Sequence, residues 1–344
     1  MNGHLMSGLV MSVVTLVGFA GAANSTGIAA HPLPAGEILV TGADAPRSPT
    51  RPDLYLIKPD GSHLRLLLRN AADAAASRDG RQIAFARDGA IWISQRDGSG
   101  ARRVTWPSAG VVDDQPTWSR DGKTLYFSRS SSASGLTASL FAIGTDGRGV
   151  RQLTWARQSG HEPACNLWPS TSPDGRTVVY TVISFCGHGG RSIAAVTTTG
   201  HRVKLGFRLP SPGPQIGYVE RFSAAWAPKR PEIAYSVVNS EQNSAWAYVS
   251  ASNGSLPQRI FFWDEKAGDG GPEGLDSPPA WSSDGRALVL IPPVAGFLHY
   301  PKYAPVGRGD VWFVSADGLS QQQLTKTGMF TAAAWLPPVG VVGG

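Results

Sequence analysis

The sequence predicts an all-β fold, a six-bladed β-propeller closed by its C-terminal strand. Three observations predict it. A ten-residue motif ending in an apolar run occurs in five copies, a second apolar motif accompanies it, and turn-forming residues run through the whole chain. Of 344 residues, 41 are Gly and 26 are Pro, well above ordinary usage. The 11 Trp, 8 Tyr and 12 Phe exclude a disordered polymer. Glycine has no three-residue period, which excludes collagen, and no long apolar run follows Val10–Ala23, which excludes a multi-span membrane protein.

The first motif reads Trp118-Ser119-Arg120-Asp121-Gly122-Lys123-Thr124-Leu125-Tyr126-Phe127. It recurs from Ala76, Thr171 and Trp281, with a worn copy from Trp226, and the copies are spaced 42, 53, 55 and 55 residues apart. The second motif is an apolar strand, an Asp-Gly or Asn-Gly pair and a terminal Leu-Thr. Its best example is Ser139–Ile143, Asp146-Gly147 and Arg151–Thr154. Asp53–Ile57, Ala90–Ile93, Ser192–Val196, Trp246–Val249 and Asp310–Val314 open the others.

Each unit therefore holds four short strands in two hairpins, because Asp-Gly and Asn-Gly supply the positive φ that tight hairpin turns need. Four antiparallel strands at this period are the signature of a propeller blade. The chain enters at Glu37–Thr41 as a second strand without a first, and leaves at Thr331–Pro337 as a first strand without a second. Joining them completes a sixth blade and removes the open edges. Trp118, Trp226, Trp281 and Trp335 end the innermost strands, where large rings are expected to pack between blades.

These motifs resemble the propeller repeats of the TolB family, whose hallmark is Trp-Ser-Pro-Asp-Gly before an apolar strand, then a strand with Asp-Gly and a terminal Leu-Thr. The resemblance spans about residues 37–337; only Ser172-Pro173-Asp174-Gly175 keeps the proline. It implies the propeller and a tendency to bind protein or peptide partners. The α/β domain that precedes the propeller in TolB is not expected here, and a Tol-Pal role is not carried over.

Residues 1–30 carry no Lys, Arg, Asp or Glu, and Leu9–Ala23 is apolar or small. This reads as a secretory signal, cleaved or kept as the sole membrane anchor. The remaining expectation is a linker at 31–36, the propeller at 37–337 and a tail at 338–344. Export to the periplasm, cell envelope or exterior follows. In an oxidising compartment the two cysteines, Cys165 and Cys186, read as one disulfide. Free thiols, or a metal site with the nearby His161 and His188, are the alternatives.

Function is expected on the face of variable loops, opposite the short Asp-Gly turns. Asp73, Asp113, Asp114, Glu162, Glu220 and Asp276 precede inner strands, where carboxylates could ring the channel mouth and receive a basic peptide or hold a cation such as calcium. Capping turns or pairing with Arg157 and Arg221 is the competing role. His161 stands beside Glu162, and His299 and Tyr300 lie in an aromatic, basic loop suited to a peptide or sugar platform. No Gly-x-Ser-x-Gly elbow, His-Glu-x-x-His or phosphate loop is present. The net charge of +6 comes from scattered arginines rather than a stripe, so nucleic acid is not an expected partner. The expected function is a monomeric protein- or peptide-binding module without catalytic residues, resident metal or cofactor. A carbohydrate-active enzyme, lyase or glycoside hydrolase, with its site at the channel mouth is the alternative.

Overall fold

The strands follow the hairpin grammar of the repeats. The computed structural model describes residues 32–42, 52–131, 137–155, 164–184, 186, 191–205, 219–239, 244–264, 277–292 and 309–340, and all regular elements among them are strands. The first meander is β1 (Glu37–Gly42), β2 (Asp53–Ile57) and β3 (Arg65–Leu68). The second is β4 (Ala72–Ala76), β5 (Gln82–Arg87), β6 (Ala90–Gln95) and β7 (Arg102–Arg103). The third is β8 (Val111–Trp118), β9 (Thr124–Ser131), β10 (Thr137–Gly144) and β11 (Arg151–Gln152). Next come β12 (Ala164–Thr171), β13 (Thr177–Ser184), β14 (Arg191–Thr197) and β15 (Arg202–Val203). They are followed by β16 (Val219–Trp226), β17 (Glu232–Asn239), β18 (Ser244–Ala251) and β19 (Gln258–Asp264). The chain finishes with β20 (Ala280–Trp281), β21 (Ala287–Leu290), β22 (Trp312–Ser315), β23 (Gln321–Gln323) and β24 (Phe330–Leu336).

The last strand, β24, hydrogen-bonds to β1, with Trp335 opposite Ile38 and Ala333 opposite Val40, so the first meander gains its inner strand from the C-terminus. The first strands β4, β8, β12, β16, β20 and β24 neighbour one another in that order, and β24 also neighbours β4. Separate four-stranded blades, however, number four rather than the six predicted, and one further sheet has eight strands. The eight-stranded sheet arises because β12 begins as early as Ala164 and pairs in parallel with β10 at Ala138 and Cys165, merging two meanders.

The repeated residues explain themselves locally. The Ser119 hydroxyl donates to Asp121 Oδ1 at 2.6 Å, that oxygen accepts the Lys123 N–H at 3.1 Å, and Ser119 Oγ accepts from Thr124 N at 2.9 Å. The same network recurs at Ser77–Asp79, Ser172–Asp174 and Ser282–Asp284. It satisfies the turn's backbone donors without water. The terminal threonines extend the sheet past its last strand: Thr105, Thr154 and Thr325 Oγ1 accept from Ile91, Leu140 and Val311 N at 2.9, 2.8 and 2.9 Å. Gly318, at φ +72°, turns the second hairpin of its unit, and a Cβ there would sit 3.0 Å from Ile260 Cα of the preceding sheet. Glycine is needed for both reasons.

Trp118 and Trp281 hydrogen-bond between neighbouring units as expected, whereas Trp335 bonds to the residues leading into β1 of its own sheet and the buried Trp226 Nε1 has no hydrogen-bond partner. Trp118 Nε1 donates to Ala75 O at 3.0 Å, Trp281 Nε1 to Ala225 O at 3.1 Å, and Trp335 Nε1 to Ala35 O at 3.1 Å. The core is a series of clusters between meanders; one holds Ala84, Ile91, Ile93, Val104, Trp118, Leu125, Phe127 and Ile143. No helix among the described residues is long and apolar enough to cross a membrane.

Candidate functional site

The inner strands are longer than the motif predicts. Asp113 and Asp114 were expected in a loop but lie inside β8. Asp and Pro116 read as strand breakers in sequence, yet β8 is a sheet edge, where proline is tolerated because its missing N–H removes no ladder bond. A register shift between Asp114 and Thr117 absorbs the extra residue, and Gln115 there has φ +53°. Equivalent shifts interrupt β4, β12 and β16, with Asp73 at φ +50° and Trp168 at φ +51°. Bulges of this kind re-aim side chains. Gln115 Oε1 accepts from Trp168 N and from Ser128 Oγ, both at 3.0 Å, tying the bulge of β8 to that of β12.

Just before the bulge of β8, strand alternation sends two adjacent carboxylates to opposite faces. Asp113 is fully buried and receives Arg129 Nε at 2.6 Å and Nη2 at 2.8 Å, a bidentate pair across the hairpin. It therefore holds the scaffold rather than presenting a free carboxylate to a ligand. Asp114 Oδ1 is shielded from solvent and has no hydrogen-bond partner. Burial, then the charges of Asp73 and Asp113, push the Asp114 carboxyl well above its ordinary range. Burial alone raises Asp73 to about 6. Glu220 lies in β16 opposite Val238, and its side chain is outside the described residues. His161, Glu162, Asp276, His299 and Tyr300 also fall outside them. Among the described residues no group of three His, Cys, Asp or Glu is arranged to hold a metal ion.

Cys165 and Cys186 form the disulfide, with Cα atoms 4.9 Å apart across 21 positions. Cys165 starts β12 and Cys186 follows β13, so the bridge clasps the end of that hairpin away from its Asp174-Gly175 turn. Ala138, Ile183, Leu167 and Trp168 pack around it, at the place where the two merged meanders meet.

The cavity on the axis lies at the turn end of the inner strands, not at the loop end. Its volume is about 310 Å³, and residues of β4, β8, β12, β16, β20 and β24, or of the turns that follow them, line it. Its wall is built of Ala74, Pro116, Pro169, Pro279 and Ala333, with the four repeat tryptophans between strands. Arg78, Arg120 and Lys229 line it too, and among the described residues no carboxylate does. Arg78 and Arg120 occupy the variable position of Ser-x-Asp-Gly; Lys229 stands where other copies have the aspartate. The sequence reading missed all three as part of a dispersed basic surface, and only aligning the repeats brings them together.

The acids give a pH profile that can be signed. Asp73 and Asp114 have native pKa values above the ordinary 3.8. Their stabilisation is complete below that value and is lost as pH rises, through about 6 for Asp73 and in the same direction for Asp114. Asp121 and Asp174 are lowered, chiefly by the bonds from Ser119 and Ser172, so their contribution is lost as pH falls below 3.8. The Tm is expected to rise from about pH 8 to pH 5 and to fall in stronger acid, with a maximum between the two sets. Asp114→Asn should raise the neutral Tm and flatten the upper limb. Equal slopes for the variant and the wild type in circular-dichroism melts would contradict this assignment.

No family model and no curated protein matches the chain. Solved structures do. TolB from Acinetobacter baumannii aligns with a TM-score of 0.63 at 19% identity, over 88% of this chain and 67% of that one. A putative TolB from Agrobacterium tumefaciens gives 0.56 at 15% identity, covering 88% and 99%. An oligogalacturonate lyase from Vibrio parahaemolyticus gives 0.52 at 11% identity, covering 85% and 75%. At these identities the likeness establishes the fold, an all-β propeller like those of the TolB structures.

Proposed function

We infer that the protein is an exported six-bladed propeller, closed as a ring by β24 on β1, that works as a binding module for a protein or peptide partner rather than as an enzyme. The eight-stranded sheet then counts as two blades bridged at Ala138 and Cys165. Export is supported by the charge-free, apolar N-terminal run and by the disulfide. The observation that carries the binding role is the axial cavity, a recess on a rigid scaffold to which inner strands or turns from all six meanders contribute. The further binding residues expected from the sequence, His161, Glu162, Asp276, His299 and Tyr300, lie outside the described residues. Capture from native envelope and secreted fractions, with saturation binding of what is captured, tests this reading. The wild type should hold one partner saturably, and changing Asp114, Glu162 and Asp276 together to Ala should weaken it if the loop face takes part.

A carbohydrate-active enzyme remains the second reading because Asp73 and Asp114 are paired carboxylates with raised pKa values, the kind of group that donates protons near neutrality. Turnover in a polysaccharide panel that Asp114→Asn abolishes, with no saturable partner, would move the assignment to the enzyme.

A further inference from the structure

Three of the four tryptophans that line the axial cavity use their indole N–H inside the fold, and one does not. Trp118, Trp281 and Trp335 donate to the carbonyls of Ala75, Ala225 and Ala35. Trp226 Nε1 is shielded from solvent and has no hydrogen-bond partner. Trp281 and Ala225 are 56 positions apart, and the same separation pairs Trp226 with Ser170. There the bond is a different one, because Trp226 N donates to Ser170 Oγ at 3.0 Å. The Thr171 hydroxyl, next along β12, is likewise buried without a partner. Ser170, Thr171 and Trp226 all line the cavity, from the neighbouring strands β12 and β16.

A buried donor left unmade costs free energy, and each such group in a native fold calls for a reason. Two of them on one wall of a cavity point to a guest that supplies acceptors. Both residues are half-buried and border the space, so a modest turn of each side chain brings its polar atom to that guest. The rest of the wall decides the guest's shape. Pro116 lies in β8, Pro169 in β12 and Pro279 just before β20, and proline has no N–H. The inner strands therefore cannot offer a row of donors to an added β-strand. What they leave is a recess of about 310 Å³ bordered by indoles and small side chains, with isolated donors. A polyproline II segment matches it, since its main chain makes no internal hydrogen bonds, keeps its carbonyls free and is ordered before it binds. Aromatic-lined grooves dock such segments.

We propose that the axial cavity binds a proline-rich, extended segment of the partner, with one main-chain carbonyl accepting from Trp226 Nε1 and another from the Thr171 hydroxyl. The site rests on the binding-module reading and gives the partner its chemistry at this end of the channel. Neither the N–H nor the hydroxyl holds the fold together, so removing them separates binding from stability.

The test is proton–nitrogen NMR of the indole groups in the full exported protein, titrated with hexaproline blocked at both ends. The Trp226 Nε1 resonance, identified by its loss in Trp226→Phe, should move saturably. Fluorescence anisotropy of labelled hexaproline should show binding weakened about two- to tenfold in Trp226→Phe and in Thr171→Val, the scale of one neutral hydrogen bond. Trp106→Phe removes an indole N–H from an exposed position outside the cavity and should leave affinity near that of the wild type. Melting separates these losses from damage to the fold. Thr171→Val should not lower the Tm, and Trp226→Phe should lower it less than Trp118→Phe, which strands Ala75 O. A Trp226 resonance that stays still, equal affinities in Trp226→Phe and Trp106→Phe, or movement with cellohexaose but not with hexaproline would overturn the proposal. Partner capture keeps the two claims apart: a partner held saturably and equally by the wild type and Trp226→Phe, with no shift of the Trp226 resonance, removes the proline-rich site and keeps the module.

Discussion

Trp335→Ala is expected to destabilise the protein by about 3–5 kcal/mol, the range for deleting a buried aromatic side chain. For a chain of this size that is a fall in Tm of roughly 4–7 °C. The indole is 6% exposed and packs in one cluster with Ile38, Val40 and Ile57 of the N-terminal strands and Ala280, Val289 and Phe313 of the preceding sheet. It also donates to Ala35 O, so it fastens both ends of the chain at once. Trp118 and Trp281 make the same kind of bond, but their strands are continued on both sides by chain that cannot leave. No loop connects β24 to β1, which are joined only by non-covalent contacts: ladder pairing, the Trp335 packing and bond, and Arg96, which bonds to Glu37 and to Pro337 O. Truncation of Trp335 should therefore speed amide exchange in β1 and β24 together, ahead of the other inner strands. Trp335→Phe keeps most of the packing and should cost closer to 1 kcal/mol, roughly the worth of the lost hydrogen bond. A Trp335→Ala protein that melts with the wild type would refute the fastening role.

What could be read in the sequence was the part whose physics is local. Ser119, Asp121 and Gly122 close a turn within five residues, so composition and spacing display it directly. The pairing of the two chain ends was legible by counting, because Glu37–Thr41 and Thr331–Pro337 each lacked a partner within its own repeat. The merged sheet was not legible, since it depends on where β12 starts relative to β10, and the intervening segment carries no period. Nor was the division of labour between Asp113 and Asp114. Two neighbouring acids look alike in sequence, and which one finds a cation depends on Arg129, sixteen positions on, and on a bulge that changes the strand's parity. The cavity lining was hidden for a different reason: Arg78, Arg120 and Lys229 are far apart in the chain and come to line one cavity only when the inner strands gather about the axis.

That division leads to the second large effect. Asp113 and Arg129 are directly opposite in the β8–β9 ladder, and the guanidinium lies 4.8 Å from the Phe141 ring centre and 5.5 Å from that of Phe127. The carboxylate is fully buried and the arginine side chain 22% exposed, so water screens the pair little. Removing one partner leaves the other charge stranded over aromatic rings, and Asp113→Ala is expected to cost about 3–5 kcal/mol. Removing both charges avoids the stranded ion: Asp113→Leu with Arg129→Met should recover much of the loss, because apolar groups of similar volume can fill the same space. A double-mutant cycle in urea denaturation reads this as a coupling of roughly 0.5–3 kcal/mol between the two positions. Additive losses would show instead that Arg129 is held by its rings alone. Asp114→Asn, one residue away, should move stability the other way at neutral pH, since it relieves a buried carboxylate that has no hydrogen-bond partner at Oδ1 and faces two like charges. Opposite signs at adjacent aspartates distinguish a residue kept for the scaffold from one the scaffold tolerates at a cost, and the second is the residue to examine for a role in binding or proton transfer.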